Sequence, residues 1–142
     1  MPLSSDDAIA EVLRTVDTIA LLGASHKPQR PSYRVMQFLL SHNFKVVPVN
    51  PALADSTLLR QRVYGSLSEI DCPIDMVDVF RNALHLPAIV DEVITLGTKT
   101  LWTQLGVVDM DSAAQAERHG IRVVMDRCPA IEWPRLTQAG LL

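Results

Sequence analysis

Between Thr18 and Ala54 the chain has not one aspartate or glutamate. The same stretch holds Lys27, Arg30, Arg34 and Lys45, with His26 and His42 besides. It carries +4, so the remainder of a chain whose net charge is −3 carries −7. An acid-free third in an acidic protein suits an anionic ligand. Chance clustering, or a merely solvated basic loop, gives the same count. Other absences narrow the field. Thirteen Lys and Arg against 16 Asp and Glu leave no basic excess for general nucleic-acid binding. The two cysteines, Cys72 and Cys128, fit no CxxC or zinc-ligand spacing, and a reduced cytoplasmic protein is the simplest expectation. No run of about 18 apolar residues exists, so no membrane span is expected. The N-terminus, Met1-Pro2-Leu3-Ser4-Ser5-Asp6-Asp7, lacks the basic and apolar regions of a secretory signal.

What is present is one domain's worth of chain. Its 142 residues are 48% hydrophobic and 20% charged, which suits a packed core and excludes disorder. A single domain over 1–142 is expected, with a helix at 1–15 packed on it and a short C-terminal appendage at 130–142. Ser4-Ser5-Asp6-Asp7 reads as a helix start, with Ile9, Val12 and Leu13 on one face. Thr18 to Gly23 is a continuous apolar run and reads as a buried strand. Pro31 suits the first position of a helix that carries Val35, Phe38 and Leu39. Phe44 to Pro51 reads as a second strand. Val63 to Gly65 reads as a short strand or turn after an unpatterned stretch. Further strands are expected at Asp75–Phe80, Thr100–Leu105 and Ile121–Met125. Helices opened by Pro87 and capped by Asp111-Ser112 separate them.

This alternation predicts an α/β fold, a parallel sheet with helices on both faces in three layers. Right-handed crossovers give a five-stranded sheet of order 3-2-1-4-5, with Val63–Gly65 counted third. Ligands in such sheets bind at the carboxyl ends of the strands, near the point where the order reverses. The residues to inspect are therefore Gly23-Ala24-Ser25, Asn50-Pro51, Phe80-Arg81, Gln104-Leu105-Gly106 and Asp126-Arg127-Cys128. A Gly between a strand and a helix lets backbone approach a phosphate, and the helix start offers free N–H groups. Ser25 and Ser32 add hydroxyls, and Lys27, Arg30 and Arg34 add charge. The alternative is a tight turn that needs Gly for its own geometry. The dinucleotide fingerprint G-x-G-x-x-G is absent, as is the Walker A loop. The second strand ends in Asn50-Pro51 and lacks the acid that would hold an NAD ribose.

Leu21-Leu22-Gly23-Ala24-Ser25, Arg30-Pro31-Ser32-Tyr33-Arg34-Val35 and Val47-Pro48-Val49-Asn50-Pro51 resemble, in this order, the small stand-alone CoA-binding proteins. Val77-Asp78-Val79-Phe80-Arg81, Trp102 to Val107 and Val124-Met125-Asp126-Arg127-Cys128-Pro129 fit the same resemblance, which covers about residues 16 to 132. Such proteins are Rossmann-like and similar to the CoA-binding domain of the succinyl-CoA synthetase α subunit. The resemblance implies coenzyme A or an acyl-CoA as the small-molecule ligand. Its diphosphate would lie on Gly23-Ala24-Ser25 and near Ser32, with charge from Arg34, Lys27 and Arg30. Asn50 and Pro51 would edge the nucleotide, Phe80 and Arg81 would wall the adenine side, and Gln104-Leu105-Gly106 would lie near the pantetheine exit. Family members often carry Lys directly after the Asn-Pro; here it is Ala52. The synthetase places its phosphohistidine in a second domain, for which this chain has no counterpart. No Ser-His-Asp order, carboxylate pair or metal cluster stands out. Asp75 and Asp78 fall on opposite faces of one strand. A non-catalytic CoA-binding protein is expected, with no metal site. The alternative is an NAD(P)- or acyl-CoA-using enzyme completed by a partner or dimer.

Overall fold

A computed structural model describes all 142 residues. The first helix, α1, spans Asp6–Thr15 and is capped by Ser5, whose hydroxyl accepts from the Ala8 amide at 3.2 Å. Strand β1 (Thr18–Leu22) follows, then α2 (Pro31–Ser41) with proline in its first turn, then β2 (Lys45–Val49). A two-stranded hairpin, β3 (Thr57–Leu58) and β4 (Gln61–Arg62), occupies the unpatterned stretch. The chain then alternates through β5 (Met76–Val79), α3 (Leu86–Leu96), β6 (Thr100–Thr103), α4 (Met110–Arg118), β7 (Arg122–Val124) and α5 (Pro129–Gln138).

Five strands form one parallel sheet in the order β2-β1-β5-β6-β7. The expected reversal of order therefore lies between β1 and β5. Val63–Gly65, counted third in the expected order, does lie outside β2, but only as a single parallel bridge between Tyr64 and Val49. The fifth full strand is β7, on the opposite edge. The α4 cap also falls two residues earlier than expected. Asp109, rather than Asp111, accepts from the Asp111 amide and from the Ser112 hydroxyl.

Side chains of each strand alternate between two apolar layers, as the pleat requires. Ile19, Leu21, Met76, Trp102 and Val124 face α1, α2 and α5. Ala20, Leu22, Val77, Val79, Leu101 and Val123 face α3 and α4. Burying either layer contributes about 25 cal/mol per Å² of apolar surface removed from water. The segment expected as a short appendage is mostly α5, whose fully buried Leu136 belongs to the first layer. Its Arg135 bridges Asp6 of α1 at 2.9 Å and Glu132 at 3.0 Å, which ties α5 to α1. No helix is long and apolar enough to cross a membrane.

Candidate functional site

A cavity of about 780 Å³ opens at the carboxyl ends of the strands. Gly23 after β1, Asn50 after β2, Phe80 after β5, Gln104 after β6 and Cys128 after β7 all border it. It thus sits where the strand order reverses. Ala24, Ser25, Lys27, Arg30, Ser32, Arg34 and Leu105 complete the expected residues on its wall. Pro51 and Arg81 do not reach it. They border a smaller cavity, which Gly23 and Asn50 also line. Gly106 lines neither and instead donates its amide to the Asp126 carboxylate at 2.7 Å.

The loop after β1 is held by β2. The amides of Gly23 and Ala24 both donate to the Val49 carbonyl, at 3.0 and 3.1 Å. Asn50 adds a second clasp. Its Nδ2 donates to the Ala24 carbonyl at 2.7 Å, and its Oδ1 accepts from the Ala52 amide at 2.9 Å. Asn50 is therefore engaged in shaping the loop, besides edging the cavity. Because the Gly23 and Ala24 amides are taken, the free backbone donors lie further on. The amides of Ser25 and His26 donate to nothing in the protein. At the start of α2 the amides of Tyr33 and Arg34 turn back to the Arg30 carbonyl, and buried Ser32 faces the cavity between them and the loop.

Gly23 fits the tight-turn reading of the sequence. Its φ is +94°, a conformation that side chains disfavour. A Cβ there would also lie 3.2 Å from the Phe80 carbonyl carbon and 3.2 Å from Arg81 Cγ. The glycine is needed by the turn and by the close passage of the Phe80-Arg81 segment, apart from any ligand.

The electrostatics follow from what is missing. Lys27, Arg30 and Arg34 form no salt bridge with any carboxylate. Arg34 donates only to the Gln29 carbonyl, at 2.9 Å. No aspartate or glutamate borders the cavity. Three uncompensated cations and two free amides thus surround one opening, which is the arrangement an anion binds. Ala52 borders it without charge. Val35, Leu53, Phe80 and Val107 add apolar surface to the wall. Val35, Leu53 and Val107 were not among the expected site residues, because an apolar residue in a cavity wall looks the same in sequence as one in a core. Gln104 is 7% exposed and its Oε1 has no hydrogen-bond partner. Cys128 stands at the start of α5 as a buried free thiol on the same wall.

Two expectations about carboxylates resolve differently. Asp75 lies just before β5 and accepts from the amides of Asp17 and Thr18, both at 2.9 Å, where it fixes the entry to β1. Asp78 is fully buried with both oxygens unpartnered, in register between Leu21 and Trp102 on the face toward α2. Burial pushes its carboxyl well above the ordinary aspartate range.

Comparison with known proteins agrees with this geometry. The family model described as the CoA binding domain matches residues 17–134. The uncharacterized protein YneT of Bacillus subtilis (strain 168) is 33% identical over 120 residues, covering 84% of this chain and 87% of its own. A solved structure of a hypothetical protein from Pyrococcus horikoshii OT3 superposes with a TM-score of 0.89 at 33% identity, covering 96% of each chain. The alpha subunit of an ADP-forming acetate–CoA ligase I from Pyrococcus furiosus is 26% identical over 128 residues, which cover 80% of this chain and 28% of that subunit. With its sheet, its cation-lined opening and its sequence in agreement, the chain belongs to the CoA-binding-domain family.

Proposed function

We propose that the protein binds coenzyme A or a short acyl-CoA and does not itself catalyse a reaction on it. The observation that carries this reading is the trio Lys27, Arg30 and Arg34, free of carboxylates, around the loop that starts at Gly23. A diphosphate there would take its charge from these side chains and its hydrogen bonds from the Ser25 and His26 amides and Ser32. Gln104 and Leu105 border the same cavity as the apolar Val35, Leu53, Phe80 and Val107, which suits the pantetheine arm. One of the arm's amides would supply the donor that Gln104 Oε1 lacks. The acetate–CoA ligase subunit whose sequence matches in part is named for a reaction of CoA, and the match takes in 28% of it. A binding role without the rest of that enzyme is consistent with the cavity wall. It offers one histidine and one thiol and no carboxylate to pair with either.

Isothermal titration calorimetry tests this. Coenzyme A should give a saturable heat and NAD should give none. Tighter binding of NAD than of CoA would overturn the proposal. Native mass spectrometry of freshly purified protein should also show a bound species of CoA-like mass.

A further inference from the structure

Cys128 is the one sulfur nucleophile on the wall of the main cavity. It is a free thiol, 8% exposed, whereas Cys72, also free, is exposed and does not border that cavity. The segment that carries Cys128 is firmly held. The Arg127 amide donates to the Thr103 carbonyl at 3.1 Å, and the Trp102 indole donates to the Arg127 carbonyl at 2.7 Å. The Arg127 guanidinium bridges Glu132 at 2.8 Å. The ends of β6 and β7 are thereby clasped together. Cys128, which follows Arg127, and Gln104, which follows Thr103, both leave this clasp to border the cavity.

Gln104 bears on what fills the space near that thiol. Its amide donates to the Val79 carbonyl at 3.2 Å, and its carbonyl accepts from the Val107 amide at 3.0 Å. Its side chain is buried as well, yet Oε1 has no donor. A buried amide oxygen without a donor suits a ligand that brings one. In the CoA reading that donor is an amide of the pantetheine arm, and the arm ends in a thiol. We propose that Cys128 takes CoA covalently, as a mixed disulfide formed by exchange with the disulfide of CoA. The proposal deepens the CoA reading and rests on it. The Cys128 thiolate attacks one sulfur of CoA disulfide. The S–S bond of the reagent breaks as the bond between Cys128 and CoA forms. The second CoA leaves as a thiolate and takes up the proton that Cys128 released. One disulfide is exchanged for another, so no further oxidant or reductant enters. A small-molecule thiol reverses the step by attacking the CoA sulfur; it departs as a disulfide with CoA, and Cys128 is a thiol again. The protein thus releases reduced CoA freely and retains the oxidised form until a thiol frees it.

The test sets CoA disulfide against pantethine, the disulfide of pantetheine, which has the same reacting sulfurs and lacks the nucleotide. The natural protein is incubated with each at equal concentration, quenched with acid at timed intervals, digested and mapped by mass spectrometry. Cys72 is the internal reference. With pantethine, Cys72 should react faster than Cys128, because burial limits access to the thiol. With CoA disulfide the order should reverse. Cys128 should then gain the mass of one CoA less two hydrogen atoms, about tenfold or more faster than it reacts with pantethine, the advantage of reacting from a bound position. Dithiothreitol should remove the adduct. Equal rates of Cys128 with the two reagents, or an adduct confined to Cys72, overturns the proposal. Calorimetry with reduced CoA keeps that failure distinct from failure of the CoA reading. If reduced CoA binds and Cys128 shows no preference, the exchange is wrong and the binding stands; if reduced CoA does not bind, the CoA reading falls and the proposal with it.

Discussion

Asn50 reaches from the end of one strand to the loop after its neighbour, and its Nδ2 lies 2.7 Å from the Ala24 carbonyl oxygen. Its Oδ1 simultaneously holds the Ala52 amide at 2.9 Å. One side chain thus fixes both loops that flank the opening. Asn50→Leu keeps the size and removes both bonds. It should destabilise the fold by about 1–3 kcal/mol, the cost of leaving partly buried polar groups unmatched. CoA affinity should fall about tenfold, equivalent to about 1.4 kcal/mol. Urea denaturation and calorimetry measure the two effects. Unchanged affinity with lowered stability would separate loop shape from binding.

Gly23 and Gly106 both have positive φ, at 94° and 80°. A Cβ at Gly106 meets nothing within 4 Å, whereas one at Gly23 meets Phe80 and Arg81. Gly106→Ala should therefore show backbone strain alone, of about 1–3 kcal/mol. Gly23→Ala should cost more, because the Phe80 backbone must also move. Urea midpoints of the two variants decide it, and equal losses would mean that the Phe80 contact relaxes freely.

Cys128 borders the cavity and is 8% exposed, while Cys72 is exposed elsewhere. Saturating CoA should slow alkylation of Cys128 several-fold and leave Cys72 unaffected. Mass spectrometry of digests after timed iodoacetamide treatment reports both sites at once. Equal protection of the two thiols would point to a general change in the protein and not to occupancy of the cavity.

Asp78 gives the fold a pH dependence opposite in sign to that of a paired carboxylate. Desolvation raises its pKa in the folded state. The folded protein keeps the proton through a pH range in which the unfolded chain, near the ordinary value of about 3.9, has released it. Its contribution is thus fully present below the unfolded value and is lost as pH rises toward the folded one, by up to about 1.36 kcal/mol per pH unit. Asp78→Asn should flatten that slope. Urea unfolding from pH 5 to 9 checks this, and an equal slope in both proteins would show that the carboxyl ionises in place.

The architecture was legible because strand and helix periods alternate cleanly, with Gly23 and Pro31 marking ends. The hairpin at β3 and β4 was not. Its turn places Leu59 and Arg60 at φ of 47° and 68°, positions that Asn or Gly would ordinarily announce. The Asp109 cap was missed because Asp111 and Ser112, two residues on, are also good caps. For the site, strand ends named most of the polar wall, since topology alone places them. Sequence could not show that Asn50 spends both ends of its amide on loops, nor that Arg81 turns away from Phe80 into a different cavity. It placed Asp75 and Asp78 on opposite faces, but burial and partners depend on what packs over each face.

The carboxylate-free opening also shapes how fast a ligand arrives. Lys27, Arg30 and Arg34 contribute +3 within a molecule of formal net charge −3, so the rest of the chain carries a formal −6. Beyond a Debye length, about 10 Å in 0.1 M salt, these charges are largely screened; inside it the net-negative protein repels an anion until the mouth of the cavity, where the sign inverts. Encounter therefore lacks the long-range steering that speeds oppositely charged partners at low salt. Added salt weakens the local hold while also easing the approach, so dissociation should carry more of the ionic-strength dependence than association.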